Sequence, residues 1–469
     1  MGISRVTVVC AVLGALMLTG CSSPTSTITS PRSASPSPTP PKPALVDVGT
    51  WPSYHADQSR TGAVDSPGPG EPTTVAWATR LGAAVYGQPL VADNRIIAAT
   101  EDNRIVALDP DSGVIEWSDV LGTPLTNVGA IAGCGDVDPL GITSTPAIDI
   151  ATGTVYVVGE VYENGAVHHQ LEGISLASGR VLISENVDPP LPAGESPNTL
   201  LQRTGLAIAN GRVYIGYGGN AGDCGSYHGW MVSVRETSPA AMRSFEVAAD
   251  GEGGAIWEGG GAPAIDSHGN VYVTTGNANP DPPQGGPDPK RYTESVVKLS
   301  PELEPLASYK DRVAGGDADL ATGNPVLLTH GLLFAVGKTD VAYILKQSDL
   351  SLVVAIHGVC GSDPDGGPAF DAATDRVYVP CRGGGIQEVD LATNKVGPRI
   401  TGANSAPILI GRDLWAAQYP NGTLSEFDTT TSAVIQSVPV GVALPHFATP
   451  STALGMIFLG TLQGVAAFK

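Results

Sequence analysis

The 469-residue chain carries 46 acidic against 25 basic residues, a formal net charge of −21, which argues against nucleic acid and against an anionic membrane surface as partners. Long helical periodicity is absent, and 59 glycines with 39 prolines suit a turn-dense all-β chain.

In chain order, the first predicted element is an export signal over residues 1–20. Arg5 supplies a positive start and Val6 to Leu18 an apolar core, too short for a stable membrane span. Leu18-Thr19-Gly20-Cys21 follows and resembles a bacterial lipobox, which implies lipidation at Cys21 and anchoring to the cell membrane in an extracytoplasmic compartment. Residues 22–43 hold 18 Ser, Thr or Pro among 22 and read as a tether over 21–45, not a domain. At about 3.1 Å per residue the tether reaches ~70 Å from a membrane. Residues 46–469 read as one domain.

That domain repeats one phrase eight times: an apolar strand opened by proline, a tight turn, and a second apolar strand. The first copy is Pro89-Leu90-Val91-Ala92-Asp93-Asn94-Arg95-Ile96-Ile97-Ala98-Ala99. The others are anchored at Pro146, Leu206, Pro263, Pro325, Pro368, Pro407 and Pro450. Turn residues such as Asp93-Asn94, Asn210-Gly211 and His268-Gly269-Asn270 suit hairpins. A third strand usually follows, for example Arg104 to Leu108 or Ser295 to Leu299. Asp111-Ser112-Gly113 or Ala177-Ser178-Gly179 then turns the chain into a fourth. Four antiparallel strands in each of eight repeats predict an eight-bladed β-propeller. The chain ends on a third strand, Gly464 to Lys469, without a fourth. Val75 to Gly82 resembles the fourth strand of the first repeat, so it is expected to complete the last blade and close the ring. The ring is expected to be monomeric.

The repeat anchors are spaced by 57, 60, 57, 62, 43, 39 and 43 residues. The extra residues of the longer copies fall between strand four and the next strand one (123–143, 188–203) or between strands two and three (160–169, 217–229, 276–293). Both connections lie on the same rim of an up-and-down blade. One face, over half the ring, is therefore expected to be the working surface for a protein or small-molecule ligand, with Asp223, Tyr227, His228 and Trp230 in it. Four cysteines lie in the domain, and an exported compartment permits disulfides. Cys134–Cys224 with Cys360–Cys381 is preferred among three possible pairings. No Gly-x-Ser-x-Gly elbow is present, His168-His169 lacks a third ligand nearby, and Asp281 and Asp288 sit in a proline-rich stretch unlike a calcium loop.

Trp51-Pro52-Ser53-Tyr54-His55 with Asp57 and Arg60-Thr61-Gly62, and the repeat Ile105-Val106-Ala107-Leu108-Asp109 with Ser112-Gly113 and Trp117, resemble the propellers built from quinoprotein (PQQ) repeats. That superfamily contains both PQQ-dependent alcohol dehydrogenases and non-enzymatic lipoproteins, including an outer-membrane assembly scaffold. The resemblance to the dehydrogenases implies PQQ and calcium on the propeller axis. It makes Asn277 a calcium ligand, Asp317 or Asp319 the base, Lys338 the contact to the quinone, and Trp257 the floor. The segment Gly218 to Trp230, which aligns with the calcium-binding Glu and a PQQ-binding Arg, carries neither. It offers Asp223 to the metal and His228 to the cofactor. Two readings follow: a membrane-anchored binding or scaffold propeller, and a PQQ- and calcium-dependent alcohol or sugar dehydrogenase.

Overall fold

The computed structural model describes residues 49–66, 68–279, 291–311 and 316–469. The candidate lipidation site Cys21 and the loop aspartates Asp281 and Asp288 lie outside them.

The described residues form eight four-stranded antiparallel blades. Blade 1 shows why the sequence reads as it does. Leu90–Ala92, Arg95–Ala99 and Arg104–Leu108 are almost wholly buried, whereas the outer strand Ile115–Val120 alternates between half-buried and exposed. Strands with a blade on each side must be apolar on both faces, and only the outermost meets water. The first strands of blades 2 to 8 are Ala147–Asp149, Ala207–Ala209, Ala264–Ile265, Val326–Leu327, Ala369–Asp371, Ile408–Ile410 and Ser451–Ala453. In every blade the register between strands three and four slips once, as between Ala107 and Leu108. Such bulges add twist to the outer half of the blade.

Blades 8, 1 and 2 lock together through the tryptophan and glycine of the repeat. Trp77 Nε1 donates to Pro110 O at 2.7 Å, and Trp117 Nε1 donates to Leu176 O at 2.9 Å. A side chain at Gly113 or Gly179 would run into the indole of Trp77 or Trp117, and both glycines have positive φ.

Val75–Arg80 pairs antiparallel with Gly464–Phe468 and supplies the fourth strand of blade 8, as the sequence predicts. Both expected disulfides are present: Cys134–Cys224 and Cys360–Cys381. The insertion at 160–169, read from the sequence as a loop, is instead a continuation of the ladder. Thr154–Glu163 and Ala166–Ser175 form a long hairpin around Asn164-Gly165, both at positive φ. Val157, Val158, Val161, Val167 and Leu171 are buried along it, enough to carry the strands past the usual blade length.

Residues 51–64 run beneath the ring and meet the inner strand of seven successive blades. Trp51 and Val91 exchange backbone hydrogen bonds. Pro52 O then accepts from Ile148 N, Gln58 Nε2 donates to Ile208 O, and Gln58 O accepts from Ile265 N. Ser59 O, Thr61 O and Gly62 O take the amides of Leu327, Phe370 and Leu409 in turn, before Ala63–Val64 pairs in parallel with blade 7. The contacts fall beside the tight turns that join strands one and two. They satisfy edge groups that would otherwise open onto the axis.

Candidate functional site

The two ends of the axis differ. At the tight-turn end the segment 51–64 is buried: Trp51, Tyr54, His55 and Arg60 are each no more than 1% exposed. Arg60 donates through Nε to Pro263 O and through Nη1 to Ser53 Oγ, Tyr54 O and Asp57 O. His55 stacks on Tyr54 at 4.3 Å, and burial pulls its pKa down to about 3, so the ring is neutral.

At the other end lies a cavity of about 410 Å³. Its walls come from the connections between blades 8 and 1 (Tyr86), 1 and 2 (Asp136), 2 and 3 (Arg203), 3 and 4 (Trp257), 4 and 5 (Asp319), 5 and 6 (Asp363) and 7 and 8 (His446, Phe447). Convergence from so many blades puts it on the axis. The short repeats supply Asp363, Arg382, His446 and Phe447, so the cavity is not confined to the half with long insertions. Both disulfides pin the rim. Cys134–Cys224 ties the segment of Asp136 to that of Asp223, and Cys360–Cys381 ties the segment of Asp363 to that of Arg382.

Asp223, Trp257, Asp317, Asp319 and Lys338 all line this cavity. Lys338 Nζ bonds Asp319 Oδ2 at 2.8 Å and also reaches Asp317 Oδ1. Asp319 is buried, and its Oδ1 accepts from the backbone amide of Asn277 at 2.8 Å. Burial pushes the Asp319 carboxyl up against the pull of Lys338, while the bond to Lys338 draws the more exposed Asp317 down. Burial also weighs against the charged form of Lys338, but the two carboxylates outweigh it and raise its pKa. Trp257 Nε1 donates to Gly219 O at 2.9 Å, which fixes the indole in the wall.

The other expected residues lie elsewhere. The side chain of Asn277 is not in the cavity wall; the residue contributes its amide to Asp319. His228 is buried outside the cavity, with Nδ1 against Glu195 Oε1. Tyr227 and Trp230 are also buried, so of the predicted contact residues only Asp223 faces the opening, accepting from the Tyr227 hydroxyl. These side chains turn inward because Gly219 and Gly229, beside them, leave room for a ring and for the carbonyl of Gly254.

The residues present do not fit a calcium-bound quinone. Among the described residues no group of three or more His, Cys, Asp or Glu side chains is placed to hold a metal ion. Asp319 is engaged by Lys338 and the Asn277 amide, and Asp223 by Tyr227. Two of the three cations in the same wall, Lys338 and Arg382, are already paired with Asp317, Asp319 and Asp363, so the tricarboxylate PQQ would meet more carboxylates than unpaired cations.

The sequence reading missed Arg203, Tyr86 and Phe447. The Arg203 guanidinium lies 4.2 Å from the Phe447 ring centroid and 5.5 Å from that of Tyr86. Its residue is 8% exposed and its Nε has no hydrogen-bond partner. Burial pulls its pKa down. Phe447 has φ 65°, an uncommon backbone for a bulky residue. All three sit in inter-blade connections, where repeat periodicity carries no information.

The sequence family described as outer membrane protein assembly factor BamB matches residues 70–222. No curated protein matches the chain. Among solved structures, the quinohemoprotein alcohol dehydrogenase of Comamonas testosteroni aligns with TM-score 0.69 at 14% identity, over 90% of this chain and 80% of its own. A europium-containing methanol dehydrogenase gives TM-score 0.69 at 13% identity, over 90% and 91%. BamB from Moraxella catarrhalis gives 0.56 at 11%, over 84% and 99%. The fold is that of the PQQ-repeat β-propellers. Enzymes and an assembly factor share it, so the PQQ-repeat ring by itself does not give the activity.

Proposed function

We propose that this PQQ-repeat propeller is an extracytoplasmic binding module, lipid-anchored to the cell membrane through Cys21, that takes a small ligand at the axial mouth of its long-loop face. The observation that carries the reading is the asymmetry of the axis. One end is filled by residues 51–64, while seven inter-blade connections converge on a cavity at the other. About 410 Å³ with mixed aromatic and charged walls falls in the range of small-molecule sites. Dehydrogenase chemistry is not proposed: among the described residues Asp319 is engaged by Lys338 and the Asn277 amide and Asp223 by Tyr227, and no three or more His, Cys, Asp or Glu side chains gather there.

The test is a thermal-shift screen of small organic acids, sugars and alcohols against the wild type and Ala221→Trp. Ala221 is an exposed residue of the cavity wall, so the indole should occlude the mouth without disturbing the ring. Shifts present in the wild type and lost in the variant support the reading. Equal shifts in both contradict it.

A further inference from the structure

Arg203 stands apart from the other cations around the cavity. Lys338 is held by Asp317 and Asp319, whereas no carboxylate lies within ion-pair distance of Arg203 among the described residues. A guanidinium carries five donors in a planar fork that matches a carboxylate, and burying it without an acceptor is unfavourable. Phe447 and Tyr86 supply ring faces, which attract the cation but leave the buried Nε without an acceptor. Asp136 shares the wall and adds to the attraction at Arg203, yet makes no ion pair with it.

Resting on the reading of the cavity as a ligand site, we propose that Arg203 is an anion-recognition residue for a small aromatic monocarboxylate, bound without a metal ion. The carboxylate meets the free edge of the guanidinium and supplies the missing acceptor. The flat apolar part lies against the aromatic wall, where Trp257 is fixed by its bond to Gly219 O. A single negative charge is favoured, because Lys338 and Arg382 are already paired with Asp317, Asp319 and Asp363, and the carboxylates of the wall oppose a second one.

The experiment is calorimetric titration of the full chain with indole-3-acetate and with its neutral isostere indole-3-acetamide, in EDTA and again with added calcium. The acid should bind about 10–100-fold tighter than the amide, equally in both buffers. Arg203→Met keeps the aliphatic stem and removes the fork. It should abolish that preference, with an unchanged circular-dichroism spectrum and melting midpoint showing that the variant is folded. Arg203→Lys should retain part of the preference. Equal binding of acid and amide to the wild type, or a preference that survives Arg203→Met, overturns the role of Arg203 but leaves the cavity as a ligand site. A calcium requirement overturns metal-free binding. No binding of either probe overturns the aromatic-acid class, and the Ala221→Trp screen then judges the cavity separately.

Discussion

The two ends of the propeller axis are built from the same ring and solve opposite problems. At the tight-turn end, the carbonyls of residues 52–64 meet the inner strand amides one after another, and Arg60 is wrapped by main-chain oxygens and Ser53. At the long-loop end, charged side chains pair with one another along the wall of a cavity, and among the described residues Arg203 stacks on rings without an ion pair. Backbone satisfaction makes the first end a structural closure. Side chains held in place around open space leave the second free for the proposed recognition role.

This contrast can be broken first at the closed end. Trp51→Ala removes the largest fully buried side chain of the segment and should cost about 3–5 kcal/mol in denaturant unfolding. A loss below about 1 kcal/mol would mean that the segment is a passive cover. At the open end the staples are covalent. Cys134→Ser with Cys224→Ser releases a link between residues 90 apart, with an expected cost of roughly 2–4 kcal/mol. Limited proteolysis should then cut near Cys134 or Cys224, and an unchanged digestion pattern would show that the rim holds without its staple.

Glu258 sharpens the boundary between the ends. It is buried beside the cavity residue Gly259, bonds the amide of Thr274 through Oε1 and leaves Oε2 without a partner. Burial pushes its pKa up to about 8, against the pull of the Thr274 amide and of Arg60 in the closing segment. An unfolded chain releases this proton near the ordinary value of 4.5, whereas the folded chain keeps it until about pH 8. Stability therefore falls as pH rises between those values, and Glu258→Gln escapes the loss. The variant should gain about 1–3 kcal/mol relative to wild type between pH 5 and pH 8 in paired denaturation curves. A constant difference would place an ionised Glu258 in the fold.

How much of this was legible in the sequence follows from where each feature sits. The blades and the closing strand 75–80 were, because strands buried on two faces must be apolar and each turn must bring its own residues; the disulfides found are the pairing preferred among three, which spacing alone did not fix. Asn164-Gly165 was a hairpin signal in plain view, obscured by reading the length of that repeat as a loop. The threading of residues 51–64 was not legible, since one amide from each of several distant blades leaves no periodic trace. Five of the seven candidate site residues share the cavity; His228 and Asn277 do not, because burial and main-chain pairing decide where a side chain points. Arg203 could have been singled out only as a lone charge in the otherwise uncharged stretch Thr199 to Ile208.

The central claim, that recognition belongs to the open end of the axis, is tested most directly by hydrogen exchange. The full chain is compared with and without whichever compound of the screen stabilises it most. Protection should appear in the connections around Tyr86, Arg203, Asp319 and Phe447, with residues 51–64 unchanged. Protection confined to the tight turns or to the outer strands would contradict it.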